Sequence, residues 1–106
     1  MSDRSIEQEH EMLMLGLIHM LGENAWTFLG KRVNPGSNKE EVVLPAARAM
    51  IDTLGALKER TEGRLTERER SMLESLLTNL RLNYLEEMKA EANKPKEASA
   101  SSEPSS

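Results

Sequence analysis

The segment that decides the fold is TEGRLTERE, residues 61–69. Gly63 is a natural helix terminator, because glycine readily adopts the left-handed backbone with which many helices end. Thr66 and Glu69 have the spacing of a capping box, in which each side chain binds the backbone N–H of the other residue. Since only two residues separate Gly63 from Thr66, the segment predicts two antiparallel neighbouring helices, an α-helical hairpin.

The hairpin helices are predicted at about residues 44–62 and 67–90. Pro45 suits only the first turn of the earlier helix, where no intrahelical amide bond is lost. Apolar residues recur on one face of each helix: Ala47, Met50, Ile51, Leu54 and Leu57 in the earlier one, and Leu73, Leu77, Leu80 and Tyr84 in the later one. Antiparallel pairing then places Leu54 near Leu73.

A set of residues with nearly fixed spacing runs through both hairpin helices. It comprises Ala47-Arg48, Ile51-Asp52, Leu54, Leu57-Lys58-Glu59, Thr61, Gly63, Leu65-Thr66, Glu69, Leu73, Leu76-Leu77, Leu80-Arg81 and Tyr84. The pattern, over about residues 28–88, resembles an uncharacterised bacterial family of short all-helical proteins, a domain of unknown function. The resemblance implies a small all-α bacterial protein and brings no activity with it. Two features depart from the family pattern: Val43 replaces an acidic N-cap, and Glu23, Asn24 and Trp26 interrupt a first helix that is rich in small residues in the family.

A further helix is predicted before the hairpin, at about residues 6–29. Ser5 and Gln8 can form a capping box at its start, and Gly30 can end it. Its apolar residues lie on nearly every side of the helix, and one stripe of them holds Leu13, Leu17 and Met20. Such a helix is buried on nearly every side, whereas two shorter helices can cover only part of it.

We therefore expect two copies to pack through this helix as a homodimer and to complete a helical bundle around a two-fold axis. The predicted interface residues are Met14, Leu15, Ile18, Leu21, Ala25, Trp26, Phe28 and Leu29. An unidentified protein partner is the alternative occupant. A membrane surface is disfavoured, because surface-binding helices are normally rich in Lys and Arg and this one begins with acidic residues. The protein is interpreted as a small, non-catalytic oligomerisation or protein-interaction module.

Composition limits the remaining possibilities. The chain has 106 residues, a formal net charge of −4 and no cysteine. One helical domain is predicted at residues 1–92, and the Ser-, Pro-, Lys- and Glu-rich residues 93–106 are predicted to form a disordered tail. The negative charge argues against nucleic-acid binding. The acidic start differs from a secretory signal, and the longest uncharged stretch, residues 12–22, is too short to span a bilayer, so a cytoplasmic location is expected.

The catalytic alternative also lies in the first helix. Glu7 and His10 have the Glu-x-x-His spacing with which di-iron bundles bind metal. His19 and Glu23 are one helical turn apart and could pair on one face. A metal-dependent site or enzyme could be assembled from these four residues at a dimer interface. Because one chain supplies only one such motif, the preferred prediction is no enzyme, no metal and no cofactor.

Arg48, Asp52 and Arg81 are predicted to form a structural polar cluster. Arg48 and Asp52 are one turn apart, and Arg81 should lie across the hairpin from them. A half-buried carboxylate without a partner is costly, so Asp52 is expected to bridge the two arginines and to fix the register of the hairpin; the alternative is that the three residues are independent surface charges.

Overall fold

The computed structural model describes residues 3–93 of the chain. Within them the chain forms three α-helices, α1 (Asp3–Phe28), α2 (Leu44–Arg60) and α3 (Glu67–Ala92). This described range contains no β-strand beyond two isolated bridges. The predicted all-α class and its three helices are confirmed, whereas the predicted tail from residue 94 onward lies outside the described residues.

The junction between α2 and α3 has the predicted capping box. The Glu69 backbone N–H donates to the Thr66 hydroxyl at 3.1 Å, and the Thr66 N–H donates to the Glu69 carboxylate at 2.8 Å. Gly63 lies between the helices in the left-handed region, with φ +78°. The two bonds satisfy amides that every helix start would otherwise leave unpaired, and they set the point at which the chain reverses.

Polar contacts join the start of α3 to α1. The Thr66 hydroxyl donates to the Glu11 carboxylate at 2.6 Å, and Arg68 donates to the same carboxylate at 3.4 Å. Further along, an ideal Cβ at Gly22 would lie 2.7 Å from Leu76. Positions therefore match in the same order along both helices, so α1 runs parallel to α3 and antiparallel to α2.

The end of α1 is closed by a glycine turn. Gly30 has φ +82°; its N–H donates to the Thr27 carbonyl at 3.0 Å, and the Lys31 N–H donates to the Trp26 carbonyl at 2.9 Å. This pair of bonds is a Schellman motif, which satisfies the last carbonyls of a helix. The chain returns at residue 43, whose N–H donates to the Phe28 carbonyl at 2.7 Å, so the loop before α2 is fastened to the end of α1.

The predicted N-cap of α1 was wrong. The helix begins at Asp3, so Ser5 lies inside it and cannot be the capping residue. Extending an existing helix costs far less than starting one, and a serine with capping potential does not by itself end that extension.

The core lies along the line where the three helices meet. Its buried members are Ile18, Ala25 and Leu29 from α1 and the turn after it, Ala47, Ile51 and Leu54 from α2, and Leu73, Leu77 and Leu80 from α3. The two hairpin stripes predicted from the sequence supply the last six. Each helix thus contributes one face to the core, which determines what each helix leaves outside.

Removal of the Thr66 hydroxyl tests the junction. Thr66→Ala should lower the free energy of unfolding by about 1–2 kcal/mol, because the cap for Glu69 and the bond to Glu11 are both lost. Urea unfolding followed by circular dichroism measures the change. Thr53→Ala is the matched control, since the Thr53 hydroxyl binds only the Ala49 carbonyl within its own exposed helical turn. Equal effects of the two changes would contradict the assigned role of Thr66.

Alanine substitutions at Gly30 and Gly63, the two glycines with a left-handed backbone, test how the loop before α2 is attached to the end of α1. Alanine at either position carries roughly 1–2 kcal/mol of backbone strain. A Cβ at Gly30 would also lie 2.9 Å from the Val42 side chain, whereas a Cβ at Gly63 meets nothing within 4 Å. Gly30→Ala should therefore lower the thermal midpoint more than Gly63→Ala. The reverse order would show that residue 42 does not pack against the end of α1.

A candidate interaction surface on the first helix

The structure corrects the predicted interface on α1. Ile18, Ala25 and Leu29 have no exposed surface and belong to the core of their own chain, so in this fold they offer no surface to a second copy. Four other predicted interface residues are partly buried against the same core: Met14, Leu21, Trp26 and Phe28. Leu15 lines a shallow groove beside Met72 of α3. The hairpin covers the face that the sequence assigned to a partner.

The uncovered apolar residues form a different stripe on the opposite face of α1. Their exposed fractions are 40% for Ile6, 67% for Leu13, 38% for Leu17 and 53% for Met20. Intervals of seven, four and three residues keep all four on one side of an α-helix. We call these four residues the outer stripe. Met12, which is 73% exposed, lies at its edge.

Gly16 lies beside the outer stripe. It is exposed, and an ideal Cβ there would meet no atom within 4 Å. In a helix interior glycine is less favourable than alanine by about 1 kcal/mol, and contacts within this chain do not require it. A bare backbone at this point allows a second helix to approach α1 closely.

The first turns of α1 lie at the surface of the described chain. Residues 5–10 are all exposed, and Glu11 binds Thr66 and Arg68 at the start of α3. A helical segment without tertiary contacts has little stability in water. The outer stripe begins in this segment, with Ile6.

Charge is distributed unevenly along α1. Residues 5–11 include Glu7, Glu9 and Glu11 and no basic residue. At the other end, Arg32 donates to the Glu23 carboxylate at 2.9 and 3.3 Å, and Lys31 lies 3.5 Å from Glu87 of α3. The start of α1 is therefore acidic, whereas the basic side chains Lys31 and Arg32 lie in the turn that follows the helix, since the last turn of α1 itself holds none.

A second group of exposed apolar residues lies on α3. Leu82 and Leu85 are each 54% exposed and Met88 is 45% exposed. Their spacing of three residues turns steadily around the helix, so they do not form one straight stripe. Leu85 borders a groove that also includes Ile51 and Tyr84.

Of the predicted polar cluster, the structure shows only the pair on α2. Arg48 lies 3.7 Å from Asp52, but both side chains are about 70% exposed, at 71% and 70%. Among the described residues Arg81 makes no ion pair with Asp52. Asp52 follows the buried Ile51, and successive helix positions differ by about 100°, which directs the carboxylate into solvent. The three side chains border one groove without forming a bridge across the hairpin.

The four residues of the catalytic alternative do not gather within one chain. No group of three or more metal-ligating side chains occurs among residues 5–93. His10 and His19 are exposed, and the Glu23 carboxylate binds Arg32 instead of His19. The described residues also contain no helix long and apolar enough to cross a membrane.

The architecture defines a class: a small three-helix protein with a capped hairpin and a first helix that is apolar on two opposite faces. The chain matches the family model described as Domain of unknown function (DUF1844) over residues 11–86, and it belongs to that family. The match includes all of α2 and most of α1 and α3, in agreement with the expected resemblance. No curated protein and no solved structure matches the chain.

Substitution of Asp52 tests whether this residue bridges the hairpin or forms only an exposed pair with Arg48. Asp52→Ala should change the free energy of unfolding by less than about 0.5 kcal/mol, because an exposed pair on one helix contributes little. Leu54→Ala, two positions away and fully buried, should cost about 2–5 kcal/mol. Chemical denaturation measures both changes. A cost of several kcal/mol for Asp52→Ala would restore the bridging role.

Proposed function

We propose that this protein is a non-catalytic self-association module whose outer stripe binds a second copy of the chain. The observation that carries the proposal is the stripe itself: four large apolar side chains on one face of α1, each 38–67% exposed. Soluble monomers seldom expose contiguous apolar surface that has no use. Complete burial of one leucine or methionine side chain contributes about 1.5–3 kcal/mol.

A second copy is favoured as the occupant because the stripe can pair with itself. In a two-fold dimer the same patch is used by both chains, so the apolar patch of one copy can pack against the apolar patch of the other. The bare backbone at Gly16 suits the close approach that such a helix pair needs. Different residues thus take the interface role that the sequence gave to Ile18 and its neighbours.

The proposal assigns binding, not catalysis, to this chain, in the setting of a bacterial cytoplasm. The competing proposal is a metal-dependent site or enzyme built from Glu7, His10, His19 and Glu23 at a dimer interface. The ion pair between Glu23 and Arg32 weighs against it, since that carboxylate would have to exchange partners. Elemental analysis of untagged protein separates the two, because stoichiometric iron, manganese, copper or zinc would support the competing proposal.

A charge in the outer stripe should break the dimer. Leu13→Glu places a carboxylate where the proposal buries an apolar side chain, and light scattering should show a shift from dimer to monomer mass. Leu82→Glu is the matched control, because Leu82 is a similarly exposed leucine, 54% against 67%, on α3. It should leave the dimer intact, and both variants should keep their helical circular dichroism.

Two results would contradict the proposal. One is unmodified protein that remains a monomer over a wide range of concentration. The other is a dimer that survives Leu13→Glu and dissociates with Leu82→Glu, which would assign the contact to α3.

A further inference from the structure

We propose that the second copy lies antiparallel along the outer stripe, with the two-fold axis passing between Gly16 and Leu17. This inference rests on the proposed self-association and adds the orientation and register of the two chains. It identifies which end of one α1 meets which end of the other.

The charge distribution along α1 selects the orientation. A parallel pair would bring the acidic starts of both helices together, with Glu7 and Glu9 of each copy adjacent to those of the other. An antiparallel pair places each acidic start beside the end of the other helix, where Lys31 and Arg32 lie. In an antiparallel pair the two helix dipoles also lie side by side in opposite directions, which further favours this orientation.

The apolar residues select the register. With the axis between Gly16 and Leu17, Leu13 of one copy faces Met20 of the other, and each Leu17 lies over the bare backbone of the opposite Gly16. Leu13, Leu17, Met20 and the adjacent Gly16 lie on the part of α1 that is backed by the core, since Ile18 on another face of the same turns is fully buried. The closest approach of the helices thus falls where the backbone has no side chain.

The same register provides cover for the uncovered first turns of α1. Ile6 of one copy lies level with Thr27 and Phe28 of the other, a part of α1 that is packed against its own hairpin. Glu9 lies level with Asn24 of the other copy, on the flank that carries Glu23 and Arg32. The exposed start of each helix thereby rests on the supported end of its partner and places a carboxylate near a guanidinium.

Cysteine cross-linking distinguishes the two orientations, and the chain has no cysteine of its own. The probe is a mixture of full-length Leu13→Cys protein and isotopically labelled Met20→Cys protein, oxidised and analysed by mass spectrometry. A disulfide needs Cβ atoms about 4 Å apart. In the antiparallel register residue 13 of one copy lies opposite residue 20 of the other, whereas the two residues 13 are offset by about 10 Å along the axis.

The inference predicts a disulfide dimer of one labelled and one unlabelled chain, and little dimer from Leu13→Cys protein alone. Efficient linkage of Leu13→Cys protein to itself and of Met20→Cys protein to itself, in a chain that light scattering shows to be dimeric, would overturn the antiparallel orientation and leave self-association standing, because only a parallel pair brings both positions opposite themselves. A dimer that links in neither way would overturn the register and the surface together. A monomeric unmodified chain would overturn the proposed function itself. Both positions are exposed, and an unchanged helical circular dichroism spectrum checks that the variants fold.

Discussion

The structure depends on a geometric constraint: a hairpin of two helices covers only one side of a third. The buried residues Ile18, Ala25 and Leu29 form one face of α1 and its end, and α2 and α3 meet along that face. The opposite face cannot reach the same core, because an α-helix directs its two sides into different surroundings. Leu13, Leu17 and Met20 therefore remain exposed. The candidate function follows from this surplus of apolar surface and not from any concentration of reactive groups.

Glu11 determines where that surplus lies relative to the hairpin. Its carboxylate accepts from the Thr66 hydroxyl and from Arg68, so one side chain joins α1 to the residue that starts α3. Thr66 also caps α3, so this one residue takes part both in ending the chain reversal and in aligning α1. The alignment leaves the turns before Glu11 exposed. A partner that supplies cover there would complete a helix that its own chain supports over only part of its length.

The hairpin was predictable because its signals are local. A glycine stop, a short link and the Thr66–Glu69 box lie within nine residues, and their hydrogen bonds need no distant partner. The orientation of α1 was not predictable in this way. A helix with apolar residues on nearly every side gives no indication of which side faces its own hairpin, and the stripe at Leu13, Leu17 and Met20 was visible in the sequence without being distinguishable from the core face. The expected bridge from Asp52 to Arg81 is not seen for a related reason. Which side of α2 faces the core decides whether Asp52 points toward α3 or into solvent, and its spacing from Arg48 does not show this.

The central claim is that a second copy covers the outer face of α1, and amide hydrogen exchange resolved along the chain tests it most directly. Exchange is measured at several protein concentrations, with residues 7–13 compared against residues 73–80 in the core. The account predicts that protection of residues 7–13 rises with concentration, because these turns are covered only in the dimer. Rapid exchange there at every concentration, beside a stable core, would contradict it.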